Sequence, residues 1–293
     1  MIKKYSKIFI SILAFIPFLN VSAESQPFYV NSNNISMTEE QYNYLLNFYS
    51  EDIIFKMTQD RFDYEMQYDF VLDSASEKYI KTVTYYDDLG NAYIDENEIS
   101  EEDYDKAIMP LANNCEVGGL PLGCWETTYK KLMLYSWVNG DIGNLTQRFD
   151  VQNEWKIMPA VRSFDVIGIR YYDYNPLYAF GYQNTYTNSG YEEIYYSYDG
   201  TNMNRQSNGI GISQNIVDDS SLYGLTNRLI VDGKNYGTEH MGVFASYQHA
   251  TSDLTLDQSK NYSFGSGGLG DVFIFNNGIS SFYDHTHGVS YVY

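Results

Sequence analysis

A histidine pair near the end of the sequence is a candidate for metal chemistry. The segment reads Asp284-His285-Thr286-His287, and residues two apart lie on the same face of a β-strand. Two imidazoles on one face suit Zn²⁺ or Cu²⁺, which accept nitrogen ligands. The alternative is a pair of exposed loop histidines, because this spacing alone is not specific for a metal. The sequence therefore marks His285 and His287 as candidate metal ligands.

Polar residues after Pro159 form a second candidate group. Arg162 and Asp165 flank the predicted start of a strand. There they either form a polar recognition site, or Arg162 pairs with a carboxylate and braces the turn. His249 follows another predicted strand and either takes part in catalysis or makes a structural hydrogen bond. We expect the structural interpretation for Arg162 and for His249.

Motifs for nucleophilic catalysis and nucleotide binding are absent from the sequence. The chain has no G-x-S-x-G, no H-E-x-x-H and no Walker loop. The glycine-rich run Gly265–Gly270 lies between two short predicted strands, which indicates a hairpin or bulge and not a phosphate site. Pairs such as Asp218-Asp219 and Glu192-Glu193 could serve a glycosidase. However, adjacent residues on a strand point to opposite faces.

An acidic run between Asp87 and Asp105 raises the question of a Ca²⁺ site. An EF-hand loop that began at Asp87 would need an oxygen ligand where Leu89 stands and a glycine where Ala92 stands. The EF-hand pattern therefore fails. A less regular Ca²⁺ site stays open as an alternative, and we expect no resident cofactor.

Tyrosine is the compositional outlier, with 31 residues in the chain, and it is densest between Tyr171 and Tyr198. Tyrosine offers a large contact area with a polar tip, which suits binding faces for sugars or proteins. It is also a normal residue of exposed sheet faces. The candidate binding residues are Tyr171, Tyr172, Tyr186, Tyr195, Tyr196 and Tyr198.

The two cysteines, Cys115 and Cys124, frame the segment CEVGGLPLGC. In an oxidising compartment we expect them to form a disulfide. A metal site is disfavoured, because Glu116 is the one residue of ligand type between them. The predicted disulfide has a structural role at the entry to the β-rich part of the chain.

The elements that must position these residues differ along the chain. Residues 24–110 carry helix-start signals and a predicted hairpin around Asp88–Asn91, which indicates a small acidic α+β region. Thr38 with Gln41 forms a capping box. Further predicted N-caps are Ser50, Thr58 and Ser100.

Residues 111–293 alternate strand and turn signals. In the segment RFDVQNEWKI, Phe149, Val151, Trp155 and Ile157 alternate with polar residues, which is the period of a half-buried strand. Gly, Asn, Asp and Ser interrupt the pattern at short intervals. The sequence therefore predicts a mainly β fold: a jelly-roll-like β-sandwich preceded by the small acidic α+β region.

Residues 1–23 are typical of a cleaved export signal. Lysines precede an apolar run from Ile8 to Leu19, and small residues precede a cut before Glu24. The run is shorter than the roughly twenty residues that a spanning helix needs. We therefore expect a secreted, extracellular protein without stable membrane insertion.

The formal net charge of −20 restricts the kinds of binding partner that the protein can have. Most of the excess of acidic over basic side chains lies in residues 24–110. Such a surface repels nucleic acid and anionic membranes. It suits cations or a basic partner, or it only keeps the protein soluble.

Several segments resemble a group of secreted proteins from low-GC Gram-positive bacteria. The most specific are ETTYKK and the pattern P-x-x-R-S-x-D-x-I-G, and the likeness covers most of the mature chain. The residues of the second pattern are Pro159, Arg162, Ser163, Asp165, Ile167 and Gly168. The resemblance implies export and a common fold, and it supplies no activity or ligand.

Three functional hypotheses follow from these features. The first is a secreted, non-catalytic binding or interaction protein that uses its tyrosine-rich sandwich to hold a protein or carbohydrate. The second is a secreted hydrolase with glycosidase-like carboxylates. The third is a membrane-active, toxin-like protein, which Lys130, Lys131 and the acidic surround disfavour.

Overall fold

The computed structural model describes residues 28–108, 113–119, 121–140, 145–235, 241–266, 272–276, 278–286 and 288–292. With 53% strand and 14% helix, the chain is mainly β, as the sequence predicts. It divides into two compact units, one ending at Gln67 and one beginning at Tyr68. The predicted export signal, residues 1–23, lies outside the described residues.

The first unit consists of short elements whose starts are fixed by side-chain caps. They are β1 (Tyr29–Val30), β2 (Ser36–Met37), α1 (Glu39–Leu46), α2 (Glu51–Lys56) and α3 (Gln59–Glu65). The predicted caps Thr38, Ser50 and Thr58 each accept a hydrogen bond from the third residue of their helix. The capping box of Thr38 with Gln41 is present, so this part of the prediction is confirmed.

The second unit is built around a seven-stranded antiparallel sheet, called the large sheet below. Its strands, in spatial order, are β4-β3-β5-β6-β12-β8-β9. Their bounds are β3 (Phe70–Tyr86), β4 (Ala92–Ile99), β5 (Cys124–Asn139), β6 (Thr146–Ile157), β8 (Tyr174–Thr187), β9 (Gly190–Tyr196) and β12 (Gly224–Asn235). The predicted hairpin around Asp88–Asn91 is the β3–β4 connection, so it belongs to this sheet. The strands β3 and β4 thus belong to the compact unit that begins at Tyr68.

A five-stranded antiparallel sheet, called the small sheet below, forms the second layer in the order β10-β11-β7-β13-β16. Its strands are β7 (Phe164–Tyr172), β10 (Met203–Gln206), β11 (Gly209–Asn215), β13 (Gly242–Gln248) and β16 (Val289–Val292). Inward-facing apolar residues of both sheets form one continuous core. The predicted β-sandwich is thus confirmed.

The predicted strand around Trp155 is β6, and it pairs with β5 and β12 inside the large sheet. Phe149, Val151, Trp155 and Ile157 are all buried, as their alternation predicts. Asp150, on the opposite face, is also buried and pairs with the Arg228 guanidinium. The sequence pattern identified the core face correctly and missed the burial of the other face.

The outer face of the small sheet carries a further aromatic layer. It comprises the hairpin β14 (Tyr262–Phe264) and β15 (Phe273–Phe275), with α5 (Leu256–Ser259) and a 3-10 helix (Ile279–Phe282) nearby in the chain. A Cβ added to Gly168 would lie 2.7 Å from the Phe273 ring, so glycine is required for this close approach. The remaining helix is α4 (Glu101–Asp105), capped by Ser100 as predicted.

The predicted disulfide joins Cys115 and Cys124, with 5.1 Å between their Cα atoms. Gly267–Gly270 of the glycine run lie outside the described residues. The pairing of β14 with β15 on either side of the run confirms the predicted hairpin. No helix of the described residues is long and apolar enough to span a membrane.

Candidate functional site

His285, the first histidine of the predicted pair, does not lie on a strand. His285 adopts a left-handed backbone conformation (φ 53°) between the 3-10 helix and β16, so the expected shared strand face is wrong at this residue. Its Nε2 lies 2.5 Å from the Ser280 carbonyl oxygen. His287 lies outside the described residues, and the metal-site prediction for the pair stays untested.

The acidic run near Asp87 serves the turn between β3 and β4. The Asp87 carboxylate accepts hydrogen bonds from Leu89 N–H, Asn91 N–H and the Asn91 amide. The side-chain bond from Asn91 is the main cause that lowers the pKa of this carboxyl. Among the described residues, no group of three or more acidic, histidine or cysteine side chains is arranged to hold a metal ion.

The six predicted tyrosines divide between the core and the surface. Tyr171 and Tyr196 are buried in the core between the sheets, and Tyr198 is partly buried against it. Tyr172, Tyr186 and Tyr195 are exposed. Alternation along each strand is the reason, because neighbouring residues face opposite sides. The buried pair cannot meet a ligand without opening the core.

The exposed tyrosines do not form one patch. Tyr172 packs near Phe244 of the small sheet. On the large sheet, Tyr195 lies beside Tyr182 in the strand register, and Tyr186 lies beside Tyr191. The structure therefore separates residues that the sequence placed in one cluster.

A cavity of about 360 Å³ opens at one end of the sandwich, and we call it the Arg162 cavity. Five chain segments line it: the β3–β4 turn, the disulfide loop, and the connections that follow β6, β11 and β13. The lining residues are Leu89, Gly90, Gly118, Gly119, Pro121, Leu122, Val161, Arg162, Asp218, Thr251, Ser252 and Asp253. Its volume lies at the small end of the range for ligand sites, roughly 300–1,000 Å³.

Arg162 is the cation of this cavity. Its Nε and Nη1 atoms are buried and have no hydrogen-bond partner. Burial lowers the pKa of the guanidinium, while the charges of Glu126, Asp165 and Asp218 act in the opposite direction. No carboxylate among the described residues occupies these two donors, so the predicted ion pair that braces the turn is not seen at Nε or Nη1.

The disulfide loop forms one wall of the cavity. Gly118 N–H donates to the Ala160 carbonyl at 3.0 Å, which ties the loop to the β6–β7 connection that carries Arg162. Gly118 has a left-handed conformation (φ +73°), and a Cβ there would lie 1.9 Å from Asp218 Oδ1. Glycine is thus required both by the backbone and by the close approach of the Asp218 carboxylate.

A buried carboxylate, Glu126, supports the same connection from β5. Its side chain accepts hydrogen bonds from Ala160 N–H at 2.6 Å and from the Tyr86 hydroxyl at 3.2 Å. Burial raises the pKa of this carboxyl, and the nearby His249 opposes the rise. Glu126 therefore fixes the backbone next to Arg162 and does not reach it as an ion-pair partner.

Asp165 and His249 are brought together next to the cavity. Asp165 accepts hydrogen bonds from His249 Nδ1 at 3.0 Å, from Ala250 N–H at 2.9 Å and from the Tyr247 hydroxyl. Tyr247 in turn accepts from Trp155 Nε1 at 3.0 Å. The contact with Asp165 agrees with the expectation of a hydrogen-bonded His249. Two residues further on, Thr251 lines the cavity.

The His249 imidazole is buried, and its Nε2 has no hydrogen-bond partner. Burial by itself lowers the pKa of this imidazole, but the neighbouring carboxylates, first that of Asp165, outweigh burial and raise the pKa. The ring meets Trp155 edge-on with 5.3 Å between centroids. A histidine enclosed in this way orients the network and is not exposed to a substrate.

The cavity can bind an anionic group and can also accept hydrogen bonds. Arg162 offers unused donors, Thr251 has a buried hydroxyl without a partner, and Asp218 and Asp253 supply carboxylate oxygens. Leu122 and Val161 add apolar surface. The sequence identified Arg162 as a candidate. It did not identify the other lining residues, because they come from segments far apart in the chain.

No protein-family model matches this chain, and no curated protein matches it.

Proposed function

We propose that this chain is a secreted, non-catalytic binding protein whose ligand site is the Arg162 cavity. One observation carries the proposal: a guanidinium in a cavity leaves Nε and Nη1 buried without acceptors. Leaving a buried donor unpaired costs roughly 1–3 kcal/mol, and more when the group is charged. Arg162 as a whole is partly exposed and lines the cavity, so an anionic ligand there offsets part of the cost of the buried charge, and anions are favoured.

The charges around the cavity restrict the class of anionic ligand that it can bind. Asp218 and Asp253 also line it, and they repel a ligand with several negative charges. The same carboxylates can accept hydrogen bonds from hydroxyl groups. The cavity therefore suits a small molecule with one carboxylate and several hydroxyls, which is the chemistry of a sugar acid such as glucuronate.

The apolar lining agrees with this ligand class. Leu122 and Val161 present side chains to the space in which the carboxylate would sit on Arg162. A pyranose ring has carbon-bound hydrogens on its faces, and these pack against aliphatic groups. The ligand is thus held by one charged contact, by hydroxyl contacts and by a small apolar wall.

Calorimetric titration of the mature protein with glucuronate tests the proposal, with glucose as the neutral comparison. We expect binding of glucuronate, much weaker binding of glucose, and loss of glucuronate binding in Arg162→Gln. The matched control is Arg205→Gln, because Arg205 is a half-exposed cation paired with Asp199 outside the cavity. Equal binding by wild type and Arg162→Gln would contradict the proposal.

Two further probes separate the alternatives. Binding of a simple amino acid instead of glucuronate would keep the cavity and change the ligand class. Hydrolysis of an aryl glucuronide, lost in Asp218→Asn, would replace binding by glycosidase activity, which is the hydrolase hypothesis.

The exposed tyrosines define a second candidate surface for a protein or carbohydrate partner. Tyr186 packs against Tyr191 and Tyr223 with ring centroids 5.1 Å and 6.4 Å apart, and all three rings are exposed. Exposed aromatic groups of this kind are frequent anchors in recognition. A glycan array with wild type and Tyr186→Ser tests this surface, and equal signals would remove it.

A further inference from the structure

Lys130 is a lysine inside the sandwich, although lysine is rarely buried. It lies on the inner face of β5 with a side chain 1% exposed, and its Nζ contacts Asp284 Oδ2, whose side chain is 2% exposed. The two residues are 154 positions apart in the sequence. The pair joins the centre of the large sheet to the segment that leads into β16.

The surroundings of this pair exclude water. The Trp155 ring lies 5.4 Å from Nζ, and the Tyr247 ring lies 5.8 Å from it. Thr286 Oγ1 also contacts Nζ, and the Thr286 side chain is buried. A buried ion pair gains little net stability, because desolvation of both charges offsets their attraction.

The Asp284 carboxyl group is held in one orientation. Its Oδ1 accepts a hydrogen bond from His249 N–H at 2.9 Å, and Asp284 N–H donates to the His249 carbonyl at 3.0 Å. The second oxygen, Oδ2, faces Lys130. One oxygen is therefore polarised by a backbone donor, and the other faces the amine.

A second carboxylate lies within reach of the same nitrogen. Glu96 Oε2 is 3.8 Å from Lys130 Nζ and accepts a hydrogen bond from Thr286 Oγ1 at 2.7 Å. Glu96 is on β4, and its side chain is 16% exposed. A base this close needs to approach by only about 1 Å to reach hydrogen-bond distance, where it can take a proton from the nitrogen and return it to an oxygen of the neighbouring carboxyl group.

We propose that Lys130 and Asp284 form an intramolecular isopeptide bond, with Glu96 as the proton relay. Transfer of one proton from the ammonium to the Asp284 carboxylate gives a neutral amine and a neutral carboxyl group. Nζ then attacks Cγ, and the developing negative charge on Oδ1 is stabilised by His249 N–H. Glu96 accepts a proton from the nitrogen and delivers it to Oδ2, which leaves as water.

This reaction is balanced. One C–N bond forms, one C–O bond breaks, and one water molecule is released, with no oxidation or reduction. Fixed contact between amine and carboxyl replaces the encounter of two separate groups, which is a large kinetic advantage. Exclusion of water opposes hydrolysis of the product. The amide also removes both buried charges.

The mass of the purified mature protein tests the proposal. After reduction and alkylation of the disulfide, we expect a deficit equal to one water molecule relative to the sequence. Tandem mass spectrometry after proteolysis should locate the bond between the peptides that contain Lys130 and Asp284. A full-length mass without the deficit, and separate unlinked peptides, would overturn the proposal.

Variants distinguish the covalent bond from an ion pair. Lys130→Ala and Asp284→Ala should have no deficit, whereas Asp284→Asn should release ammonia and give the same final mass as the cross-linked wild type. Lys131→Ala is the matched control, because Lys131 points to the other face and pairs with Glu77 at 2.8 Å. This control should keep the deficit.

The role of Glu96 has its own readout. Glu96→Gln retains the shape of the side chain, and it should lower the linked fraction at a fixed time after refolding. A fully linked Glu96→Gln protein would overturn the relay and leave the bond itself supported. The wild-type mass decides the bond even where a variant does not fold.

Discussion

Removal of the disulfide is expected to weaken the second unit and to open the Arg162 cavity. Cys115 and Cys124 enclose Gly118 and Leu122, which line the cavity. In the double variant Cys115→Ser with Cys124→Ser, this wall is held by hydrogen bonds alone. The Gly118–Ala160 bond and the bond between Asn114 N–H and the Trp125 carbonyl remain available to it.

The size of the effect follows from the length of the closed loop. A ten-residue loop gives a chain-entropy stabilisation of about 2.7 kcal/mol at 25 °C. For a domain of this size, each kcal/mol shifts the melting temperature by about 2–4 °C, so the expected decrease is roughly 5–11 °C. The strands do not depend on the bond, so the large sheet should still form.

Urea unfolding followed by tryptophan fluorescence measures this loss selectively. The three tryptophans are Trp125, Trp137 and Trp155, and all belong to the unit that begins at Tyr68. We expect a lower free energy of unfolding, an unchanged far-ultraviolet spectrum before the transition, and weaker glucuronate binding. Unchanged stability would refute the loop-closure argument, and unchanged binding would refute the wall's role in the cavity.

Three further changes test single contacts of the structure. Gly118→Ala should cost about 1–2 kcal/mol for the left-handed backbone alone, and the added methyl group should displace Asp218. The expected readouts are a lower urea midpoint and weaker ligand binding. An unchanged midpoint and unchanged binding would contradict the close approach of Gly118 and Asp218. Tyr196→Ser should cost roughly 3–5 kcal/mol. Tyr195→Ser should cost clearly less, about 0.5–1.5 kcal/mol for its ring contacts with Phe180 and Tyr182, and similar costs would contradict the assigned faces. Because the pKa of His249 is raised on folding, its stabilisation is complete below about pH 6.5. It is lost as the pH rises through the raised folded-state pKa, so the stability advantage of wild type over His249→Gln should shrink as the pH rises above about 6.5; an advantage that grows would contradict the sign.

Local signals in the sequence predicted the local structure well. The caps at Thr38, Ser50, Thr58 and Ser100 depend on residues three positions apart, so the sequence contains all the information they need. The disulfide is also a local feature. The strand β6 followed from its alternation, because one face of a sandwich strand meets the core.

Features set by distant residues were not predictable in the same way. The start of β3 contains Asp73, Ser74 and Ser76, which are not typical of strands, and pairing with β5 overrides their propensity. The contact of Lys130 with Asp284 depends on how the last strand is placed beside the large sheet. The surroundings of Arg162 likewise come from five separate segments of the described residues, so a short window of sequence could not show that its Nε and Nη1 lie buried without partners.

The orientation of the tyrosines could not be predicted from the sequence pattern. Alternation indicates that Tyr195 and Tyr196 face opposite sides, and it does not tell which side is the core. In the structure Tyr196 faces the small sheet and Tyr195 faces outward. That choice is made by the whole strand register, because a shift of one residue would exchange the two faces.

We propose that Arg162 holds the carboxylate of a small ligand in the cavity. The most direct measurement is a crystal structure of the mature protein soaked with glucuronate. We expect electron density for the sugar acid in the cavity, with its carboxylate within hydrogen-bond distance of Arg162 and its hydroxyls near Asp218 and Asp253. A cavity filled by water alone, with the Arg162 guanidinium paired to Asp218, would contradict it.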